Sequence, residues 1–195
     1  GLPPKTVETL PHPNVHIVIE PCSAQVFGVH TGRWTRVLEG RSSAFGIKFR
    51  PGAFRPFLRR PVSSLRDTSM PVAALFGPHA REQEAIADCT NDAGGDDHAV
   101  ELASQFLLAR LPAADPAALL ASHMADSAAH RPELHSASAL AQQFSMSLRA
   151  TQRLFYDYVG IGPKWVINRY RMHEAIARAQ AGMAVSWASL AQELG

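Results

Sequence analysis

Ser147-Leu148-Arg149-Ala150-Thr151-Gln152-Arg153-Leu154-Phe155-Tyr156-Asp157-Tyr158 is the stretch on which the reading of this chain turns. Ser147 is a good N-cap residue, and Gly160 followed by Gly162-Pro163 supplies a stop, so the segment predicts a helix of about three turns. Thr151, Leu154, Phe155 and Tyr158 fall at i, i+3, i+4 and i+7, the spacing of a face packed on a core. Arg149, Gln152, Arg153 and Tyr156 form a second stripe, roughly opposite at about 100° per residue, which predicts a free polar face.

The residues before this helix give it a context. Ala137, Leu140, Ala141 and Phe144 make an apolar stripe on a preceding short helix, and only Ser145-Met146 separates that helix from Ser147. Two helices, a tight turn and a polar outer face on the second predict a helix-turn-helix. The preceding helix also repeats. Ser136–Phe144 (SASALAQQF) and Ser186–Leu194 (SWASLAQEL) match at an offset of 50 residues, which predicts a second unit opening near the end of the chain.

The free stripe suits nucleic acid in chemical terms. Arg bonds guanine O6 and N7 bidentately, Gln does the same to adenine N6 and N7, and Tyr reaches a phosphate or a base. A solvated surface carries Arg and Gln too, so the stripe alone leaves both readings open.

On these residues the chain resembles the AraC family of bacterial transcription regulators. Ser147 to Phe155 is similar to the family's S-x-R-x-L-Q-R-x-F recognition helix, Val159-Gly160-Ile161-Gly162-Pro163-Lys164 to its v-G-x-s-P-k turn, and Arg171-Met172 with Ala175 to its R-L-x-x-A. Thr151 departs from the pattern, where the family has Leu. The resemblance covers about Leu119 to Gly195 and implies a sequence-specific regulator that binds double-stranded DNA. Position by position it implies base contacts from Arg149, Gln152, Arg153 and Tyr156, and phosphate contacts from Ser147, Lys164 and Arg169. Arg171, beside Met172 and with Glu174 at i+3, reads as structural. The family joins two helix-turn-helix units by a long helix; by the repeat offset, the chain is expected to stop before its second recognition helix.

The expected fold class is α+β: a β-rich N-terminal region of effector or dimerisation type over 1–95, a linker helix over 96–114, and an all-helical DNA-binding region over 115–195. Strands are predicted for Val15–Ile19, Ala24–Val29, Trp34–Leu38 and Ala44–Phe49, runs rich in Val, Ile and Phe between Pro, Gly and Ser. Ala53–Arg60 reads as a helix closed by Pro61, and another short helix follows Pro78. Asp97 is expected to cap a helix through Leu111, and Asp115-Pro116 to open the next. In the family the first region senses a small-molecule effector, mediates homodimerisation, or both. Gly46–Phe54 (GIKFRPGAF) resembles a G-v-r-F-r-P-G-a segment ahead of this DNA-binding region in one group of regulators.

Composition narrows the remaining classes. With 46% hydrophobic and 18% charged residues the chain is a folding one, and its net charge of +2 neither requires nor excludes nucleic acid. Local charge is higher: Arg33, Arg36, Arg41, Lys48, Arg50, Arg55, Arg59, Arg60 and Arg66 form a basic run with few acids near it in sequence, which suits an anionic effector or DNA phosphate but is read first as a solvated surface. Cys22 and Cys89 are far apart without a CxxC, as expected for reduced thiols in a cytoplasmic protein. No apolar run is long enough to cross a bilayer, and the opening residues carry no secretory signal pattern. No phosphate loop, nucleophile elbow, HExxH helix or Cys cluster is present, so neither an enzyme nor a cofactor is expected. His12, His16 and Glu20 have i, i+4, i+8 spacing, but a metal site there needs a helix and the run reads as a strand. The alternatives to specific DNA reading are a helical protein-interaction module and a non-specific DNA binder.

Overall fold

The computed structural model describes residues 3–39, 43–78, 80–89, 95–183 and 186–194. The first 71 residues carry six strands: β1 (Lys5–Thr9), β2 (His16–Glu20), β3 (Ser23–Phe27), β4 (Trp34–Leu38), β5 (Phe45–Lys48) and, after short helical turns, β6 (Ser69–Pro71). β1 and β4 form an antiparallel ribbon, and the order β5-β2-β3-β6 makes a four-stranded antiparallel sheet. Helical structure then dominates: α1 (Arg55–Leu58), α2 (Val72–Phe76), α3 (Ala80–Cys89), α4 (Asp96–Leu108), α5 (Pro116–His130), α6 (Ala137–Gln143), α7 (Leu148–Leu154), α8 (Pro163–Gln180) and α9 (Trp187–Leu194). The fold is α+β, with the sheets in the first half and helices in the second.

Two hydrophobic cores follow from strand and helix periodicity. Ile17, Ile19 and Val26 alternate inward from the sheet and meet Phe54, Leu58, Val62, Leu65 and Ile86. Ala99, Ala103 and Phe106 of α4 belong to this first core, so the segment expected to be a linker is built into it. Met124 and Ala128 of α5, Leu140 of α6, Phe155 and Val159, and Val166 and Ile167 of α8 form the second core. Val29, from the strand-rich half, lies in that second core as well.

Several boundaries differ from the sequence reading. β1 and β6 are additional strands, each short and mostly exposed. The helix expected over 53–60 is a single turn, because Arg59 turns left-handed (φ +57°) ahead of Pro61. Asp97 is not a cap: Gly95 precedes α4, and Asp96 and Asp97 lie in its first turn. Asp115 does cap α5, accepting from the backbone N–H of Ala117 (2.9 Å) and Ala118 (3.3 Å).

The Gly46–Phe54 motif joins the two halves. Gly52 has φ +88°, and a Cβ there would sit 2.9 Å from the Ala118 carbonyl oxygen and 3.0 Å from Ala121 Cβ of α5. Ser122 Oγ donates to the neighbouring Pro51 carbonyl at 2.6 Å. On the far side of the motif, Asn14 Nδ2 donates to the Phe49 carbonyl.

Candidate nucleic-acid interface

α6 and α7 form a tight bihelical corner. Ser136 Oγ accepts from Ala139 N–H at 3.1 Å and opens α6; Ser147 Oγ accepts from Ala150 N–H at 3.2 Å and opens α7. Between them Ser145 takes φ +53°, a left-handed residue that reverses the chain within a few positions. Ser186 accepts from Ser189 N–H at 3.3 Å, so both copies of the 50-residue repeat open on the same serine cap. Within the second copy, the side chains of residues 190, 191, 193 and 194 lie outside the described residues.

Thr151 and Phe155 are fully buried, and Leu154 and Tyr158 are half-buried against the second core. On the opposite stripe Arg149, Gln152, Arg153 and Tyr156 are all exposed, and no ion pair among the described residues engages either arginine. Ser147 and Lys164 are exposed on the flanks. Tyr156 leans toward the start of α8: a Cβ on Gly162 would lie 3.2 Å from its hydroxyl.

α7 does not run on as a regular helix. Phe155–Val159 forms a π-helical turn closed by Gly160 N–H donating to the Phe155 carbonyl at 2.8 Å, with Gly160 at φ +96°. The wider turn anchors the end of the helix to both halves. Tyr158 Oη donates to Asp115 Oδ2 (3.0 Å), Arg55 Nε to Asp157 Oδ1 (3.0 Å), and the Arg55 guanidinium lies 5.7 Å from the Tyr158 ring centroid. Burial and then the Asp115 hydrogen bond raise the Tyr158 pKa, which keeps this hydroxyl a donor.

Arg169 requires a correction. It is only 6% exposed, its Nη2 donates to the Thr31 carbonyl at 2.8 Å, and its guanidinium stacks 4.3 Å from the Trp165 ring centroid. Helical spacing cannot show this, because the partner lies 138 residues away. A side chain so enclosed holds the two halves together and does not reach a phosphate. Arg171 is structural as read: it pairs with Glu174 (3.0 Å) and donates to the carbonyls of Ala128 (3.1 Å) and Arg131 (2.9 Å).

A family model described as a domain of unknown function (DUF6597) matches residues 1–71. The match spans all six strands and ends before α2, so it leaves out the bihelical corner. No curated protein and no solved structure matches the chain.

Other groups singled out in the sequence resolve as follows. The basic run is partly neutralised, with Arg33 on Glu8, Arg36 on Glu20 and Arg55 on Asp157; Arg41 lies outside the described residues. His16 and Glu20 stand at opposite ends of β2, about 13 Å apart at strand rise, which rules out the His12-His16-Glu20 metal reading. Among the described residues no group of His, Cys, Asp or Glu is placed to hold a metal ion. Cys22 and Cys89 are free thiols. No helix among the described residues is long and apolar enough to cross a membrane.

His12 stacks on His173 of α8 with ring centroids 3.7 Å apart and planes 3° from parallel. Burial, then the nearby His173, Lys48, His16 and Arg169, lowers the His12 pKa to about 4, so this ring is neutral near pH 7. No local pattern announces such a pair, since each ring looks like an isolated surface histidine in its own segment.

Proposed function

We propose that the chain is a DNA-binding transcription regulator of AraC type, acting in the cytoplasm, that lays α7 in the major groove of double-stranded DNA. The observation that carries the reading is the polarity of one short helix. Its aromatic side is sealed against the second core, while Arg149, Gln152 and Arg153 stand unpaired and exposed on the other side, just after a tight bihelical corner. Those three types read base edges by paired hydrogen bonds. Ser147 at the helix start and Lys164 at the start of α8 flank the stripe and serve the phosphate backbone. Tyr156, exposed on the same stripe with its hydroxyl beside Gly162, is the fourth side chain offered to a base. The strand-rich first half is the sensing or dimerising part.

Fluorescence anisotropy with labelled duplexes tests this reading. A cognate duplex should bind with affinity falling steeply as salt rises, and a scrambled duplex of equal length should bind much more weakly. Equal affinity for both assigns the face to non-specific binding. No duplex binding, together with salt-sensitive capture of acidic peptides, assigns it to a protein partner.

A further inference from the structure

A cleft of about 290 Å³ lies between the four-stranded sheet and the β1–β4 ribbon. Strand alternation builds it: Ile17 and Ile19 of β2 point into the first core, so His16, Val18 and Glu20 point the other way, into the cleft. Val18, Phe27, Trp34 and Pro11 give it apolar walls. At one end Arg36 is tied to Glu20, so that cation is already satisfied. At the other end His12, His16 and His30 converge, and His30 Nε2 is buried without a hydrogen-bond partner.

That histidine end carries a one-sided field. The charged and titratable groups acting on His12 are Arg169 and His173 from α8, Lys48 from β5 and His16 from β2, and none is acidic. His16 pairs in register with Lys48 across the strands and also feels His30. Burial first, then the neighbouring histidines and Lys48, lowers the pKa of both His12 and His16, and Lys48 and Arg169 are the standing cations beside them. A half-buried polar end flanked by Lys48 and Arg169, with an unpartnered ring nitrogen, favours a negative ligand group, and apolar walls favour a hydrocarbon body behind it.

We propose that this cleft binds a small organic carboxylate with a ring-sized apolar body, seating the carboxylate among His12, His16 and His30. The same wall holds the helical half. His173 donates to the Pro11 carbonyl and stacks on His12, and Arg169 donates to the Thr31 carbonyl beside His30. Occupancy therefore reaches α8 directly, through residues 11–12 and 30–31. The ligand site stands on its own geometry; only its use in controlling DNA rests on the reading of α7.

Calorimetric titration of the whole chain, without DNA, tests the proposal with 3-phenylpropionate, its neutral amide and phenethylamine as probes. The carboxylate should bind saturably at one site, at least about tenfold more tightly than the amide, and the amine should not bind. Its affinity should rise as pH falls from about 7 toward about 5, with proton uptake, because a bound anion raises the lowered pKa of His12 and His16. His16→Leu and His30→Leu should each weaken it at least about tenfold with thermal stability retained. In NMR spectra the His12 and His173 ring signals should shift together on adding 3-phenylpropionate. Absence of binding, or an amide that binds as tightly as the acid, overturns the site whatever the DNA result. Binding that leaves His173 unmoved overturns the coupling.

Discussion

Arg149 and Gln152 lie one helical turn apart on the exposed stripe of α7, and each is expected to read one base. Replacing either with Ala should cost about 1–3 kcal/mol of specific duplex binding and relax preference at one position, measured by competition with single-base variants of the duplex. Thr151 differs in kind: it is fully buried and its hydroxyl has no hydrogen-bond partner, so it carries an uncompensated desolvation cost. Thr151→Val keeps the shape and removes the hydroxyl, and should stabilise the fold by about 1 kcal/mol in urea unfolding. His12 supplies a pH prediction. Its pKa is about 4 in the fold against 6.5 for the free side chain, so the unfolded chain takes up that proton first. The stabilisation is full above about 6.5 and is lost as pH falls toward about 4; His16 and His173, also lowered chiefly by burial, act in the same direction. The melting temperature should drop across that window, and His12→Phe, which retains a ring on His173, should flatten the drop.

The elements show how far a one-dimensional pattern carries. Helical spacing separates the buried face of α7 (Thr151, Phe155) from its exposed face (Arg149, Gln152, Arg153, Tyr156), because 3.6-residue periodicity is a local property. The serine cap of α7 and the Asp115 cap of α5 were legible for the same reason. β1 and β6 were not: Lys5–Thr9 and Ser69–Pro71 bury little, and their pairing with β4 and β3 is set by partners distant in sequence. The π-helical turn was not legible either; within it Tyr158 and Asp157 bond Asp115 and Arg55, partners 43 and 102 residues away. The corner itself depends on Ser145 at φ +53°, a conformation that β-branched residues resist. Ser145→Val should cost about 1–3 kcal/mol in urea unfolding, whereas Ser145→Gly should be close to neutral; equal effects would remove backbone strain as the explanation.

At the scale of the molecule, the two halves are fastened in several places that no motif spells out. Gly52 lies against α5, Arg169 bonds the Thr31 carbonyl, Arg55 pairs with Asp157, and Gly160 packs so closely that a Cβ would meet Val62 Cγ1 at 2.9 Å. Substitutions at Arg169 and Lys164 are expected to separate fastening from the proposed DNA contact. Arg169→Ala should lower stability and leave the salt dependence of duplex binding unchanged, while Lys164→Ala should leave stability unchanged and reduce the salt slope by about 1. The most direct test of the central claim is selection of binding sites from a random duplex library, run in parallel on the wild-type protein and on Gln152→Ala. An enriched motif for the wild type, with one base column losing its preference in the variant, is the predicted result; no enrichment, or the same motif from both proteins, would contradict reading of DNA by the exposed face of α7.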